Sequence, residues 1–489
     1  MGIIQRQGIK NTITIYLGIF LGFVNLIIIQ PYFLTSEEIG LTRLLFSVSI
    51  LISLLMPLGV GQLTIKYFPH FKDEHKRHNG FFGFMLLFPV VGFVLIAILL
   101  LLFKNFVISQ YIQEAKLFTE YYYFLFPFTF ILGIVSVLNS YAFALFKSTV
   151  PTLLNDVVTR ILTIVVFSLY FIKFITLPQM VGMFVATYGI QLVLLLAYIF
   201  WVDKPKLYFD LAFIRKRNLN EMVAYGIILS LASIASLGIR YIDSIIIGKY
   251  MSLSFVGIYS IAAFIPGIIE APLNALERIT SAKIAHTIAN NNREEMKDIY
   301  YKSVKYVLVL GGLLFIGINS SIKDLLSFLP QEYMQGYRVI YIISAGALIN
   351  MCAGGSASIL FNSSNYIMGA ILLLLLAVSA FILNIIFIPL YGIEGAALAT
   401  FLSLFFYSAL RLFIVWKKFG LFPLNIDTLK VLAITVLVFV LVIFIPLTQN
   451  PFIDIVLRSA VATIVYAMAI HYLGLVKEIY SVIPFLKKW

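Results

Sequence analysis

Cysteine is all but missing from this chain, with Cys352 the single one in 489 residues. That excludes an internal disulfide and any metal site built from several thiolates. Charge is scarce as well: 12% of residues, against 61% hydrophobic and a mean hydropathy of +1.01, which excludes an ordinary water-soluble enzyme. No Gly-rich Walker loop is present, and no stretch between apolar runs exceeds about 30 residues, so there is no room for a nucleotide-binding cassette or a large catalytic loop. Of five histidines, His70, His75 and His78 stand among Lys72, Asp73, Glu74, Lys76 and Arg77. Their spacing shares no helix face and no acidic or thiolate ligand completes a set, so the cluster reads as a solvated loop. A cleavable leader is not expected, because the basic stretch 2–10 runs into an apolar segment of full span length. Arg6 stands where N-myristoylation needs Ser or Thr.

What the chain does have is long hydrophobic runs, most beyond the ~18 residues of a spanning helix. Fourteen are predicted, at 11–33, 41–65, 81–103, 119–146, 152–174, 178–200, 221–246, 254–276, 304–319, 336–361, 367–388, 392–416, 429–447 and 453–472. The fold class is therefore an all-α polytopic membrane protein with about fourteen transmembrane helices. The weakest runs are 178–200, which carries Gln179 and Gln191, and the short 304–319. The tail 475–489 reads as an interfacial segment anchored by Tyr480, Trp489 and two lysines.

The net charge of +13 would point to nucleic acid in a soluble protein, but its placement points to lipid. With the N-terminus cytoplasmic, 24 of the 35 Lys and Arg fall in inner loops and eight, including Arg43, on the outer side. That bias follows the positive-inside rule and puts both termini in the cytoplasm. Arg160, Arg240 and Arg411 fall within spans.

A charge at bilayer depth costs about 2.5–3.5 kcal/mol even on the lenient insertion scale, so it needs a partner or a watery cavity. The stretch 240–283 holds four such groups. Arg240 and Asp243 share a helix face, as do Glu270 and Glu277. Two readings stand: buried ion pairs that fix helix packing, or groups lining a polar passage. Asp156 and Arg160 form an i,i+4 pair with the same ambiguity.

The sequence also repeats itself loosely. Glu38-Ile39-Gly40-Leu41 opens the second span and Phe255-Val256-Gly257-Ile258 the eighth, and each glycine lies 26 residues before a lysine, Lys66 and Lys283. Six spans separate the equivalents, which fits two parallel-related six-helix bundles with a substrate site at their interface. The expected lobes are 1–201 and 221–416, joined by a cytoplasmic linker at 202–220, with 417–489 adding two helices and the tail.

The motifs GIKNTITIYLGIFLGFVN (8–25), EEIGLTRLL (37–45), LGVGQLTIKYFP (58–69), YIDSIIIGKYMSLSFVGIYSIA (241–262) and YGIEGAALAT (391–400) resemble those of Wzx-type lipid-linked oligosaccharide flippases. These are O-antigen and capsule exporters of the multidrug/oligosaccharidyl-lipid/polysaccharide exporter superfamily. The resemblance implies two six-helix lobes around a central cavity, usually followed by two extra helices. It implies alternating access that carries an undecaprenyl-pyrophosphate-linked glycan across the bacterial inner membrane, beside polysaccharide polymerase machinery. No cofactor is expected, and a monomer is expected to suffice.

Residues suited to that cargo can be named. A pyrophosphate asks for cations: Arg160 and Arg240 within spans, with Lys66, Arg278 and Lys283 at the inner mouth. Sugar hydroxyls would meet Asn25, Gln30, Asn139, Tyr141, Asn155, Asn350 and Asn384, although such amides also serve as interhelical hydrogen bonds. Pro127, Pro266 and Pro272 would let helices bend. Coupling to protons or sodium ions would need a titrating carboxylate, and Glu270, Asp243 and Asp156 are the choices. Glu270 ranks first because no basic partner lies one turn away in its own helix.

Four other readings compete. A multidrug cation antiporter of the same superfamily would want an acidic cavity, whereas the spans here carry both signs. Lipid II flippases carry arginines in their first span, and 11–33 has no charge. A membrane glycosyltransferase or polymerase would need a sizeable outer loop, and a scaffold would have no use for buried charge.

Overall fold

Backbone amides inside a bilayer find no water, so long apolar runs satisfy them within helices. The computed structural model of this chain consists accordingly of helices and turns, with no strand among the described residues. These are 3–57, 59–61, 63–64, 68, 80–111, 115–205, 219–445, 448 and 450–475, without the side chains of 3–9, 11–12, 219–233, 236 and 278–279. The histidine cluster, Lys66 and the tail beyond residue 475 lie outside them. Among the described residues twelve helices are long and apolar enough to cross a membrane.

In chain order the main helices are α1 (Ile3–Phe23), α2 (Ser36–Leu55), α3 (Phe81–Leu102), α4 (Leu125–Ala144), α5 (Thr159–Phe171), α6 (Leu177–Val202) and α7 (Leu219–Tyr250). They continue with α8 (Leu253–Ala289), α9 (Arg293–Ser320), α10 (Tyr337–Ala353), α11 (Tyr366–Phe419), α12 (Ile426–Ile443) and α13 (Pro451–Tyr472). At ~81 Å, α11 is far too long for one crossing. It turns at Gly392, whose φ of 60° and ψ of −138° suit glycine alone, and so holds two of the predicted spans, 367–388 and 392–416.

Caps explain where the predicted ends move. Thr35 accepts from the Glu38 amide while the Glu38 carboxylate accepts from the Thr35 amide, so α2 starts at Ser36 and not at 41. Thr176 and Gln179 form the same box ahead of α6, with Pro178 in the first turn. Asn292 caps α9 about three turns before the predicted start, which gives that helix 28 residues.

Two spans are interrupted by π-helix, at Val24–Ile29 after α1 and at Leu154–Val158 before α5. The Gln30 amide bonds the Asn25 carbonyl and the Thr159 amide the Leu154 carbonyl, each five residues back. Beside the first segment stands Pro31, which has no N–H to donate to the preceding turn. Such π-bulges recur at functional sites.

Contacts group the chain into residues 1–257 and 258–489. In the first unit α2 packs on α4 and on α7, the helix that follows 202–220; α6 packs on α4 and α5, and α3 on α4. Met56, Phe68, Phe81, Phe82, Tyr141 and Leu195 form part of its core. In the second, α10 packs on α9 and α11, while α12 and α13 close on α9 and on each other. Gly312 admits that approach: a Cβ there would lie 2.7 Å from the Tyr466 hydroxyl. Arg458 on α13 donates to the Ser320 carbonyl at 2.8 Å and pairs with Asp324 at 3.3 Å.

Candidate functional site

In the first unit, Gly18 and Gly22 of α1, one turn apart, leave room for the segment 154–160. A Cβ at Gly18 would meet the Asp156 Cβ at 2.7 Å, and one at Gly22 would collide with the Arg160 guanidinium. Small residues four apart let helix backbones come close. Through that gap Arg160 donates to the Gly18 carbonyl and stays in Coulombic reach of Asp156 and Tyr188.

A polar chain runs on from this seat. Buried Asn25, on the first π segment, donates to Thr163 at 3.1 Å, Gln30 donates to Asn25 at 3.4 Å, and Arg43 on α2 donates to Gln30 at 3.4 Å. Arg43 feels Tyr188, Tyr241 and Arg160 electrostatically. It has no ion-pair partner among the described residues. Tyr241 lies in reach of both Arg43 and the exposed Arg240. On the second π segment Asn155 accepts from Gln191 of α6. Two guanidiniums that repel each other thus lie in one region, and Asp156 offsets the charge of Arg160.

The second unit has the opposite balance. Arg411 on α11, only 4% exposed, donates to the Asn350 amide oxygen at 2.7 Å, and Asn350 donates to Glu270 at 3.3 Å. The Arg411 guanidinium lies 4.4 Å from the Tyr407 ring centre, and its Nε has no hydrogen-bond acceptor among the described residues. Glu277, two turns along α8 from Glu270, feels both Arg411 and Glu270. Two carboxylates and one guanidinium therefore interact, with an amide bridging one of the pairs.

The remaining expected site residues are dispersed. Asp243 is buried on α7, one turn after Arg240. Asn139 is half-buried on α4, with its amide oxygen unpaired among the described residues. Lys283 is exposed on α8, and the Arg278 side chain lies outside the described residues. Tyr141 donates to Asp203 and Asn384 to the Ala380 carbonyl. Pro266 and Pro272 lie inside α8.

Sequence reasoning missed Arg43, Arg411, Tyr188 and Gln191 as parts of these clusters. The charge pattern along the sequence puts Arg43 on the outer side; the capping box that starts α2 at Ser36 puts it two turns inside the helix. Arg411 was visible as a charge within a span, yet nothing local tied it to Glu270, 141 positions earlier.

Residues 6–276 match the family described as polysaccharide biosynthesis protein. The fold is similar to that of a lipid II flippase, MurJ, in an inward closed conformation, with a TM-score of 0.76 at 16% identity over 96% of this chain and 99% of that one. It is also similar to an inward-facing multidrug resistance MATE transporter of the MOP superfamily, at 0.64 and 14% over 86% and 98%. A MOP superfamily transporter from Pyrococcus furiosus gives 0.58 and 12% over 86% and 95%. No curated protein matches the chain in sequence.

Proposed function

The chain belongs to the polysaccharide biosynthesis protein family, and on that premise we propose that it carries an undecaprenyl-pyrophosphate-linked oligosaccharide, an O-antigen or other surface polysaccharide unit, from the cytoplasmic to the outer leaflet by alternating access. It is a multi-pass membrane transporter and not an enzyme. In hydrocarbon each unsatisfied hydroxyl costs roughly 4–8 kcal/mol on the cyclohexane scale, so several sugars cannot cross unaided. A polar surface that replaces their water suffices, and no bond breaks.

The observation that carries the reading is the pair Arg43 and Arg160, two guanidiniums in electrostatic reach of each other in the first unit, of which Arg43 has no ion-pair partner among the described residues. An excess of positive charge at that depth fits a diphosphate. Arg240, Lys66, Arg278 and Lys283 complete the cationic set on this proposal, while Asn25, Asn139, Asn155 and Asn350 meet sugar hydroxyls. The lobes are taken as 1–201 and 221–416 in the bacterial inner membrane, with both termini cytoplasmic. Glu270, bridged to Arg411 through Asn350, is the proposed coupling carboxylate for protons or sodium ions, ahead of Asp243 and Asp156. Lipid II belongs to the same cargo class. An uncharged first span does not separate this chain from lipid II flippases, because Arg160 brings a guanidinium to it from α5.

The test is transport of a fluorescent polyprenyl-diphosphate oligosaccharide in liposomes. Arg43→Ala and Arg160→Ala should each lower its rate at least about tenfold, the scale of one lost charge-assisted contact. Wild-type transport of an organic cation dye with none of the lipid-linked glycan would put the multidrug antiporter in place of this reading.

A further inference from the structure

Beside Arg43 the first unit presents two tyrosines that packing alone does not explain. Tyr188 is held by three phenylalanine rings: Phe128 at 5.1 Å between centroids, and Phe46 and Phe184 at 5.7 Å each. Tyr241 has one ring contact among the described residues, with Phe46 at 5.6 Å and 68° between planes. Both rings are half-buried in membrane-spanning helices, and neither hydroxyl has a hydrogen-bond partner among the described residues. A phenol at such depth ordinarily finds one. Both side chains lie within electrostatic reach of Arg43, whose one hydrogen bond among the described residues is the long one to Gln30.

Resting on the reading of the cargo as a glycan on a lipid diphosphate, we propose that Tyr188 and Tyr241 bind the first sugar, the one joined to the diphosphate held by Arg43 and Arg160, and that they set which sugar is accepted there. The division of labour follows from the packing. The ring of Tyr188 is fixed among phenylalanines, so its hydroxyl is a positioned hydrogen-bond group for a sugar hydroxyl. Tyr241, touched by Phe46 on one side, offers a ring surface to the C–H face of a pyranose and a hydroxyl to its rim. The neighbouring guanidinium supplies the polarity that keeps the sugar beside its phosphates and out of the lipid.

The experiment uses the purified full-length protein in detergent and two probes: a polyprenyl diphosphate, and the same lipid carrying one N-acetylhexosamine. Wild type should bind the sugar-bearing probe about tenfold more tightly, the size of one or two net hydrogen bonds. Tyr188→Phe with Tyr241→Phe should bring that ratio to about one. These substitutions keep the rings and their contacts with Phe46, and thermal exposure of the lone Cys352 thiol reports whether the fold is retained. A wild-type ratio within about twofold of one, or a tenfold ratio kept in the double variant, overturns the sugar site and leaves the lipid-diphosphate reading standing. Failure of wild type to bind either probe overturns both.

Discussion

The backbones of Gly40 and Gly257 lie against each other: a Cβ on either would stand 3.2 Å from the other's amide nitrogen. The relationship is reciprocal. A Cβ at Gly40 would collide with the Leu253 carbonyl, and one at Gly257 with the Ser36 carbonyl, each four residues before the partner glycine. These are the two glycines of the sequence echo, so the repeat meets itself here by a near-symmetric contact.

Gly40→Ala and Gly257→Ala should each destabilise this contact by about 1–3 kcal/mol, the usual cost of forcing atoms into a packed site whose neighbours are backbone. Melting followed through reaction of Cys352, the single thiol, measures it. Gly267→Ala is the control, because its Cβ meets nothing within 4 Å. Equal melting temperatures for all three variants would mean the glycine contact contributes no stability.

Gly18→Ala and Gly22→Ala should separate stability from function. At Gly18 the new carbon meets the Asp156 backbone oxygen at 3.0 Å, which cannot move cheaply, so the melting temperature should fall. At Gly22 it meets the far end of Arg160, which can swing away. That variant should fold normally and lose transport about as fully as Arg160→Ala. Normal transport by Gly22→Ala would show that the seat of Arg160 is irrelevant to the cargo.

Asn350→Ala should leave Glu270 and Arg411 without their bridge, at a cost of about 1–3 kcal/mol for the buried Arg411 donor that loses its acceptor. In a double-mutant cycle, Glu270→Ala and Arg411→Ala should be non-additive in the native background and additive once Asn350 is gone. Coupling that survives Asn350→Ala would place the interaction elsewhere, through Glu277.

Asp324 lies outside the spanning helices, and burial holds its carboxyl above the usual carboxylate range, with Asp454 adding to the effect and Arg458 opposing it. A raised folded pKa means the neutral form suits the fold better. Its contribution is complete below the unfolded value near 4 and is lost as pH rises through the folded one. Asp324→Asn should therefore gain on wild type in melting temperature between pH 4 and pH 7. A variant that instead falls further behind as pH rises would show the ion pair with Arg458 outweighing burial.

Much of this molecule is legible in its residues because hydrocarbon is an unforgiving solvent. Apolar runs, their lengths and the rule that their amides bond internally determine an all-helical membrane protein, and the spans at 367–388 and 392–416 were separable before α11 revealed its turn at Gly392. Family membership was legible in loose Gly and apolar motifs for the same reason: close helix approach needs glycine at particular depths. Asn25, Asn155, Arg160, Glu270 and Asn350 stood out as polar groups at a depth where each is costly. Their partners were not readable, since Arg160 meets Gly18 across 142 positions and Arg411 meets Asn350 across 61. Local spacing reports only what shares a helix face. Which charges end up together, and which sign prevails around them, depends on how the helices pack, and tertiary structure alone decided that the first unit gathers guanidiniums and the second carboxylates.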